Sequence, residues 1–236
     1  MDMGHRVARR SAWRPALKDL ADWVRSALGH SPKDLKMFER AFSHSSAGRD
    51  SYERLEFLGD RVLGLVVAGW LFERFPLEPE GQMSRRFNAL VARETCAKVG
   101  RSLGVPGRIR LGKQAREDRA ADSDNVVGDV VESLLGALYL EGGIKAAESV
   151  IRSGWAPFLD GQKTAPQHPK SMLQEIAAAR GLRSPSYEMV RRFGAHHSPT
   201  FRVRVNIPLL GEAEAEGASK QEAETAAAAA LLETIE

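Results

Sequence analysis

The spacing of the apolar residues changes once along the chain, and that change constrains the fold more than any other feature. Up to about residue 160 apolar side chains recur at steps of three and four, as in Leu17, Leu20, Trp23, Val24 and Leu28. That is the spacing of an amphipathic helix. Further on, "TFRVRVNI" alternates strictly, with Phe201, Val203, Val205 and Ile207 on one face and Arg202, Arg204 and Asn206 on the other. That is the period of a half-buried strand. Between the two regimes "DGQKTAPQHP" is polar, carries two prolines and a glycine, and has no period. The chain therefore predicts a mostly α domain over 1–160, with its core over about 17–160. A linker over 161–168 and an α+β domain over 169–236, in the order α-β-β-β-α, follow.

In the first segment the periodicity predicts a helix stopped at Gly29, then a short one through "DLKMFERAF". A long helix over about 51–74 is broken by the prolines and glycine of "FPLEPEG". "MSRRFNALVARETCAKVGRSLG" reads as one helix and "GVPGRIRLGKQARED" as a basic loop. "NVVGDVVESLLGALYLEGG" reads as an apolar helix ending at Gly142 and Gly143, with a last helix through "IKAAESVIRSGWAPFL". In the second segment a helix closes at Gly181, three strands follow, and the last helix opens with a capping box from Ser219 to Glu222.

The 236 residues, 43% of them hydrophobic, suffice for one large domain or two. A single cysteine, Cys96, excludes an internal disulfide and a thiolate metal cluster, and fits a reducing compartment. The start, "MDMGHRVARRSAWRP", has arginines but no apolar stretch, so no secretory signal is expected. No apolar run approaches the roughly 18 residues of a membrane span. A cytoplasmic protein without membrane contact is expected.

The net charge of +3 is spread unevenly. Residues 82–120 hold ten basic and three acidic groups, and residues 121–165 hold three and seven. This pattern fits a polyanion led toward an acidic pocket. It fits ordinary solvated helix faces equally well.

"ERLEFLGDRVLG" sharpens the choice. At 100° per residue Glu53, Glu56 and Asp60 share a stripe roughly 60° wide, opposite Leu55, Leu58, Val62 and Val66. Gly64 continues the stripe one turn on and leaves room beside the acids. Arg54 and Arg61 fall off it and are poorly placed to neutralise it. A solvated acidic face would show the same stripe. A second pair counts against that reading. In "NVVGDVVESLLGALYL" the only acids are Asp129 and Glu132, three apart among valines and leucines. Unpaired charge there is costly. The cost vanishes if Asp129 and Glu132 meet Glu56 and Asp60 around a divalent cation, and an all-carboxylate set suits Mg²⁺. Such a site has the parts for phosphodiester hydrolysis. Glu80, before Gly81 at the helix break, is an outer metal position, a plain loop carboxylate or a neighbour of a helix N-cap.

These residues resemble the ribonuclease III family. "YERLEFLGDRVLGL" is similar to its signature, as are the flanking "FSHSSAG", "FPLEPEGQMSRRFNALV" and "NVVGDVVESLLGALYLEGG". The tail from "HPKSMLQEIAAARG" to "AEGASKQEAETAAAAALL" resembles a double-stranded-RNA-binding domain. The resemblance covers about residues 17–236. It implies that Glu56, Asp60, Asp129 and Glu132 bind metal, with Asp60 and Glu132 catalytic, and that Glu53 and Glu80 are accessory acids. It implies Mg²⁺ as cofactor, with Mn²⁺ a substitute. It implies a homodimer formed through the nuclease domain, with each site cutting one strand of an RNA duplex to leave 5′-phosphate and 3′-hydroxyl ends. Ribosomal RNA precursors and other RNAs are the implied substrates.

In the tail, Gln174, Glu175 and His197 match the family's duplex contacts, each of which is otherwise only a surface polar group. Lys220 opens the last helix, where free N–H groups favour phosphate. The family's basic cluster there is reduced to this one lysine, followed by Gln221, Glu222 and Glu224. Weakened, salt-sensitive duplex binding is the expectation. Arg202 and Arg204 are expected to face Glu212, Glu214 and Glu216 across a hairpin, away from RNA. Ser43, His44 and Ser46 have no triad spacing, and Cys96 reads as core. Two rivals are a catalytically silent duplex-RNA-binding protein and an all-helical carboxylate enzyme for a small molecule. The complete carboxylate set argues against the first and the RNA-binding-like tail against the second.

Overall fold

The computed structural model describes residues 18–195 and 198–235. The N-terminal segment read above for a secretory signal, Leu17 and the loop histidines His196 and His197 lie outside the described residues. The chain divides between Ala165 and Pro166 into two compact units. Among the described residues no helix is long and apolar enough to cross a membrane.

The first unit is helical. In order it contains α1 (18–28), α2 (Leu35–Ala41), α3 (Glu53–Arg74), α4 (Glu80–Leu90), α5 (Arg93–Ser102), the short α6 (Lys113–Glu117) and α7 (Asp124–Asp160). The apolar stripe of α1 is buried as its spacing requires, with Val24 fully enclosed, and Gly29 ends it in a left-handed turn at φ 61°. The centre of the unit is the pairing of α3 with α7, built from Leu55, Val62, Leu63, Val66 and Val67 against Val127, Val130, Val131, Leu134, Leu135 and Leu138. Helix α7 is two helices joined at Gly143, whose φ of 69° and ψ of −172° only glycine adopts readily. Just before that kink, Glu141 accepts from the backbone N–H groups of Lys33 and Asp34 (3.1 and 2.6 Å) and pairs with His30. One carboxylate thus ties the start of α2 to the middle of α7. Hydrogen bonds to the backbone help hold Glu141 below the usual carboxylate range, against the opposing effect of burial.

Two expectations are corrected here. The single helix over 83–104 is two, broken at Val91–Ala92, with Ala92 extended at ψ 143°. No proline or glycine marks the break. The carbonyls that it frees find tertiary partners: Trp155 Nε1 donates to Leu90 O at 2.8 Å, and Thr95 Oγ1 donates to Ala89 O at 2.8 Å. Trp155 is fully buried, and truncating such a side chain costs about 3–5 kcal/mol. The break lets α5 turn back onto α7, where Gly100 lies so close that a Cβ would stand 2.6 Å from Val127. The basic stretch after Gly104 is not a plain loop either. It holds a 3-10 turn at Val105–Arg108 and the helix α6. Arg110 N donates to Phe42 O and His44 N to Arg110 O, which bonds the stretch to the segment leading into α3.

The second unit contains α8 (Pro169–Ala179), β1 (Ser186–Ala195), β2 (Ser198–Ile207), β3 (Gly211–Gly217) and α9 (Lys220–Ile235). The sheet is antiparallel in the order β1-β2-β3, with a bulge between Met189 and Arg191. Val203, Val205 and Ile207 are fully buried, as strict alternation requires. Val205 and Ile207 share a core with Leu173 and Ala177 of α8 and Ala227, Ala228 and Leu231 of α9. On the opposite face the register sets Arg202 against Glu216, Arg204 against Glu214 and Asn206 against Glu212, and all three pairs are hydrogen-bonded. The cap of α9 is reciprocal. Glu222 N donates to Ser219 Oγ at 3.1 Å, and the Glu222 carboxylate accepts from Ala218 N at 2.9 Å.

Candidate active site

The site lies where α3 crosses α7, and glycines set how close the crossing is. A Cβ on Gly59 would stand 1.7 Å from the carbonyl oxygen of Glu132, and one on Gly136 would stand 2.3 Å from that of Leu55. The helices are therefore in backbone contact. Asp60 follows Gly59 in the chain and Glu56 lies one turn before Asp60, while Asp129 and Glu132 sit on the facing turn of α7. Four carboxylates are thus gathered from two segments about seventy residues apart.

Their ionisation reports the crowding. Burial, and then the charges of Asp60, Glu56 and Asp129, push Glu132 up to about 8. Glu56 is raised by burial and then by Asp129 and Glu53, and Asp129 is raised by burial. Arg93, at the start of α5, is the cation that opposes the shift in all three. Two side chains engage members of the set. Asp60 pairs with its neighbour Arg61, which also lies 4.3 Å from the centre of the Phe57 ring. The expectation that Arg61 cannot neutralise the stripe is corrected: a helical wheel places the Cα, and a long side chain reaches past it. Tyr52, buried at the head of α3, donates its hydroxyl to Asp129 Oδ2 at 3.2 Å. Its backbone carbonyl accepts from Glu56 N, so the start of α3 is linked to the Asp129 carboxylate of α7 through one residue.

In kind, this donor set fits a hard divalent cation: all oxygen, partly buried and mutually repelling. In placement, no three His, Cys, Asp or Glu side chains converge to metal-holding distance among the described residues. The pairing of Asp60 with Arg61 accounts for part of that spread. Cation binding would draw Asp60 away from Arg61 and displace the proton held by Glu132.

The other acids stand apart. Glu53 is exposed and accepts from Ser51 Oγ at 2.8 Å. It lines a hollow of about 600 Å³ with Arg40, Arg54, Phe57, Leu58 and Leu140. Glu80 is in the first turn of α4, not in a loop. It accepts from Ser84 Oγ at 2.6 Å and is not among the main charges acting on Glu56, Asp129 or Glu132. The space expected beside Gly64 is filled, because the Phe87 ring lies 3.5 Å from where a Cβ would be. His44 caps a short 3-10 turn through Ser46 N, and Cys96 is fully buried. The excess of basic groups over 82–120 is largely spent inside the unit, on Arg86–Glu78, Arg101–Asp124, Arg108–Asp19, Arg110–Glu39 and Arg119–Asp122. Three features were not singled out from the sequence: Tyr52, Arg93 and the Gly59–Gly136 contact. The glycines inside two helical patterns were the available signal for the last. Nothing distinguishes Tyr52 from an ordinary core aromatic until the fold brings Asp129 to it.

In the second unit Gln174 and Glu175 are exposed on α8, with Gln167 Nε2 3.4 Å from the Glu175 carboxylate. Lys220 is exposed at the first turn of α9, with its ammonium 3.8 Å from Glu224.

A helical unit with four acids at a helix crossing, followed by an α-β-β-β-α unit, is the build of a nuclease for double-stranded RNA. Comparison with known proteins identifies the family. Residues 34–157 match the model described as Ribonuclease-III-like, and residues 169–235 match the double-stranded RNA binding motif. The chain is 57% identical over 213 residues to Ribonuclease 3 of Zymomonas mobilis, covering 90% of this chain and 87% of that one. It is 43% identical over 229 residues to Ribonuclease 3 of Rhodopseudomonas palustris, covering 95% and 84%. The nuclease domain of ribonuclease III from Campylobacter jejuni superposes with a TM-score of 0.55 at 31% identity, over 58% of this chain and 95% of that one. A second structure of that domain, described for flexibility in a region involved in dimer formation, gives 0.55 at 30% identity, over 57% and 97%. The chain belongs to the ribonuclease III family and is an endoribonuclease of double-stranded RNA.

Proposed function

We propose that Glu56, Asp60, Asp129 and Glu132 hold Mg²⁺, with Mn²⁺ a substitute, and that Asp60 and Glu132 are the catalytic pair in hydrolysis of the phosphodiester bond. One observation carries this reading: the four acids face one another across the α3–α7 contact, and three of them are raised in pKa. A divalent cation bound there supplies a clamp on the phosphate and an acidified water. The protein's own part is to position and to handle protons. Tyr52 fixes the Asp129 carboxylate, and the Gly59–Gly136 contact fixes α3 against α7. Glu132, pushed up to about 8 by burial and its acidic neighbours, holds a proton in the cation-free site and would release it as a cation binds. Products with 5′-phosphate and 3′-hydroxyl ends follow from attack of water on phosphorus with departure of the 3′ oxygen.

A homodimer through the nuclease domain belongs to the same reading. Phe57 and Phe72 on α3 are 65% and 72% exposed, with Leu65 between them and Leu140 and Ile144 on α7 also open. A row of large apolar groups at such exposure suits contact with a second copy. Two sites, one per copy, would cut the two strands and leave a short 3′ overhang. Gln174, Glu175, His197 and Lys220 are the proposed duplex contacts, Glu53 and Glu80 the accessory acids, and ribosomal RNA precursors in the cytoplasm the proposed substrates.

The test is incubation of the chain with a long RNA duplex, with and without Mg²⁺, and mapping of both ends of the fragments. Paired cuts with 5′-phosphates in Mg²⁺ alone are expected. Cleavage of equal rate in chelator, or 2′,3′-cyclic ends, would rule the mechanism out.

A further inference from the structure

The cations of the second unit are committed in an unusual way. Glu224 projects from α9 between two lysines, with its side chain 15% exposed. One carboxylate oxygen is 2.7 Å from the ammonium of Lys170, at the start of α8. The other is 3.8 Å from the ammonium of Lys220, at the start of α9. Lys170 is held further by the Tyr187 ring, whose centre lies 4.6 Å from its nitrogen. Two lysines from the first turns of α8 and α9 thus share one largely buried carboxylate. Ammonium groups attract phosphate, and Glu224 meets these two with an anion of its own. Arg202 and Arg204, on the sheet face, are bound to Glu216 and Glu214. Four of the unit's eight lysines and arginines are therefore paired internally, with three carboxylates between them.

We propose that Glu224 is a built-in brake on duplex binding: its carboxylate competes with RNA phosphate for Lys220 and Lys170. This rests on the reading of the second unit as the RNA-binding one. Affinity for RNA backbone comes largely from counterion release, which counts the cations that reach phosphate. A lysine already paired with a partly buried carboxylate releases fewer ions when RNA arrives. The brake makes the unit a weak holder of duplex with a flatter salt dependence and shifts selection of the cutting site toward the nuclease unit.

The experiment uses the full chain, in chelator to prevent cutting, and a fluorescent RNA duplex, with anisotropy titrations at several KCl concentrations. Glu224→Gln keeps the side-chain shape and removes the charge. It should bind several-fold more tightly at low salt, with a log K against log[KCl] slope steeper by about one to two, roughly one for each lysine released. Adding Lys220→Ala to that variant should cost more affinity than the same change in the unaltered chain. Two results overturn the brake and leave duplex binding standing: equal affinity and slope for Glu224→Gln and the unaltered chain, or a loss above about tenfold from Lys220→Ala alone. The second needs no change at Glu224, so it holds even if the Gln variant folds poorly. Absence of binding by either protein at low salt overturns the brake and the RNA-binding reading together.

Discussion

Replacing Gly59 with alanine tests the geometry on which the active site depends. The added Cβ would lie 1.7 Å from Glu132 O, 2.5 Å from Glu132 C and 2.9 Å from Gly136 N. Ordinary carbon contacts begin near ~3.5 Å, so the helices must part locally by somewhat under about 2 Å. The obstacle is backbone on both sides, and no side chain can swing away to relieve it. Overpacking of this kind costs about 1–3 kcal/mol or more, a large part of the roughly 5–15 kcal/mol that holds a domain together. The clash also falls on the proposed catalytic pair, since Glu132 is the residue struck and Asp60 is the next in the chain after Gly59. A misplacement of about 1 Å can cost on the order of 100-fold in rate. The expected result is a melting temperature lowered by several degrees and cleavage reduced at least about 100-fold, with duplex binding retained. Thermal unfolding, single-turnover cleavage and RNA titration read the three quantities. Gly69→Ala on the same helix is the control, because a Cβ there meets nothing within 4 Å and should be neutral or slightly stabilising. Normal stability and cleavage in Gly59→Ala would refute the close crossing.

Glu132→Gln should bind duplex without cutting it, and it should change the pH dependence of stability in chelator. The native carboxyl titrates near 8 against an ordinary value of 4.5, so the unfolded chain gives up this proton first and stability falls as pH rises between those values. The variant removes that fall, so its melting temperature relative to the unaltered chain should climb across this window and level off above it; parallel curves would show that Glu132 is not raised. Tyr52→Phe deletes the hydrogen bond to Asp129 and should weaken metal binding, measured by calorimetry, by about tenfold. Unchanged affinity would make Tyr52 a core residue only. Phe57→Asp should sediment as a monomer at concentrations where the unaltered chain is a dimer, and a dimeric variant would take Phe57 out of the interface.

The sequence by itself determined the features that depend on local period and composition. The strict alternation of 200–207 required a strand with one buried face, and pairing then placed Arg202 and Arg204 opposite their glutamates. Asp129 and Glu132 were legible because they are the only acids in "NVVGDVVESLLGALYL", and unpaired charge among valines and leucines demands an explanation. Tertiary structure alone decided what depends on partners distant in the chain. The break at Val91–Ala92 has no local signal, since the groups that satisfy its carbonyls include Trp155, more than sixty residues away. Tyr52 became a donor to Asp129, and Glu224 a counter-charge for Lys170, only when packing brought their partners within hydrogen-bond reach. Gly64 shows the same limit from the other side: the room it leaves on an isolated helix is taken by Phe87 of α4. Periodicity fixes which face of an element is buried, and the close approach of two faces fixes which atoms meet.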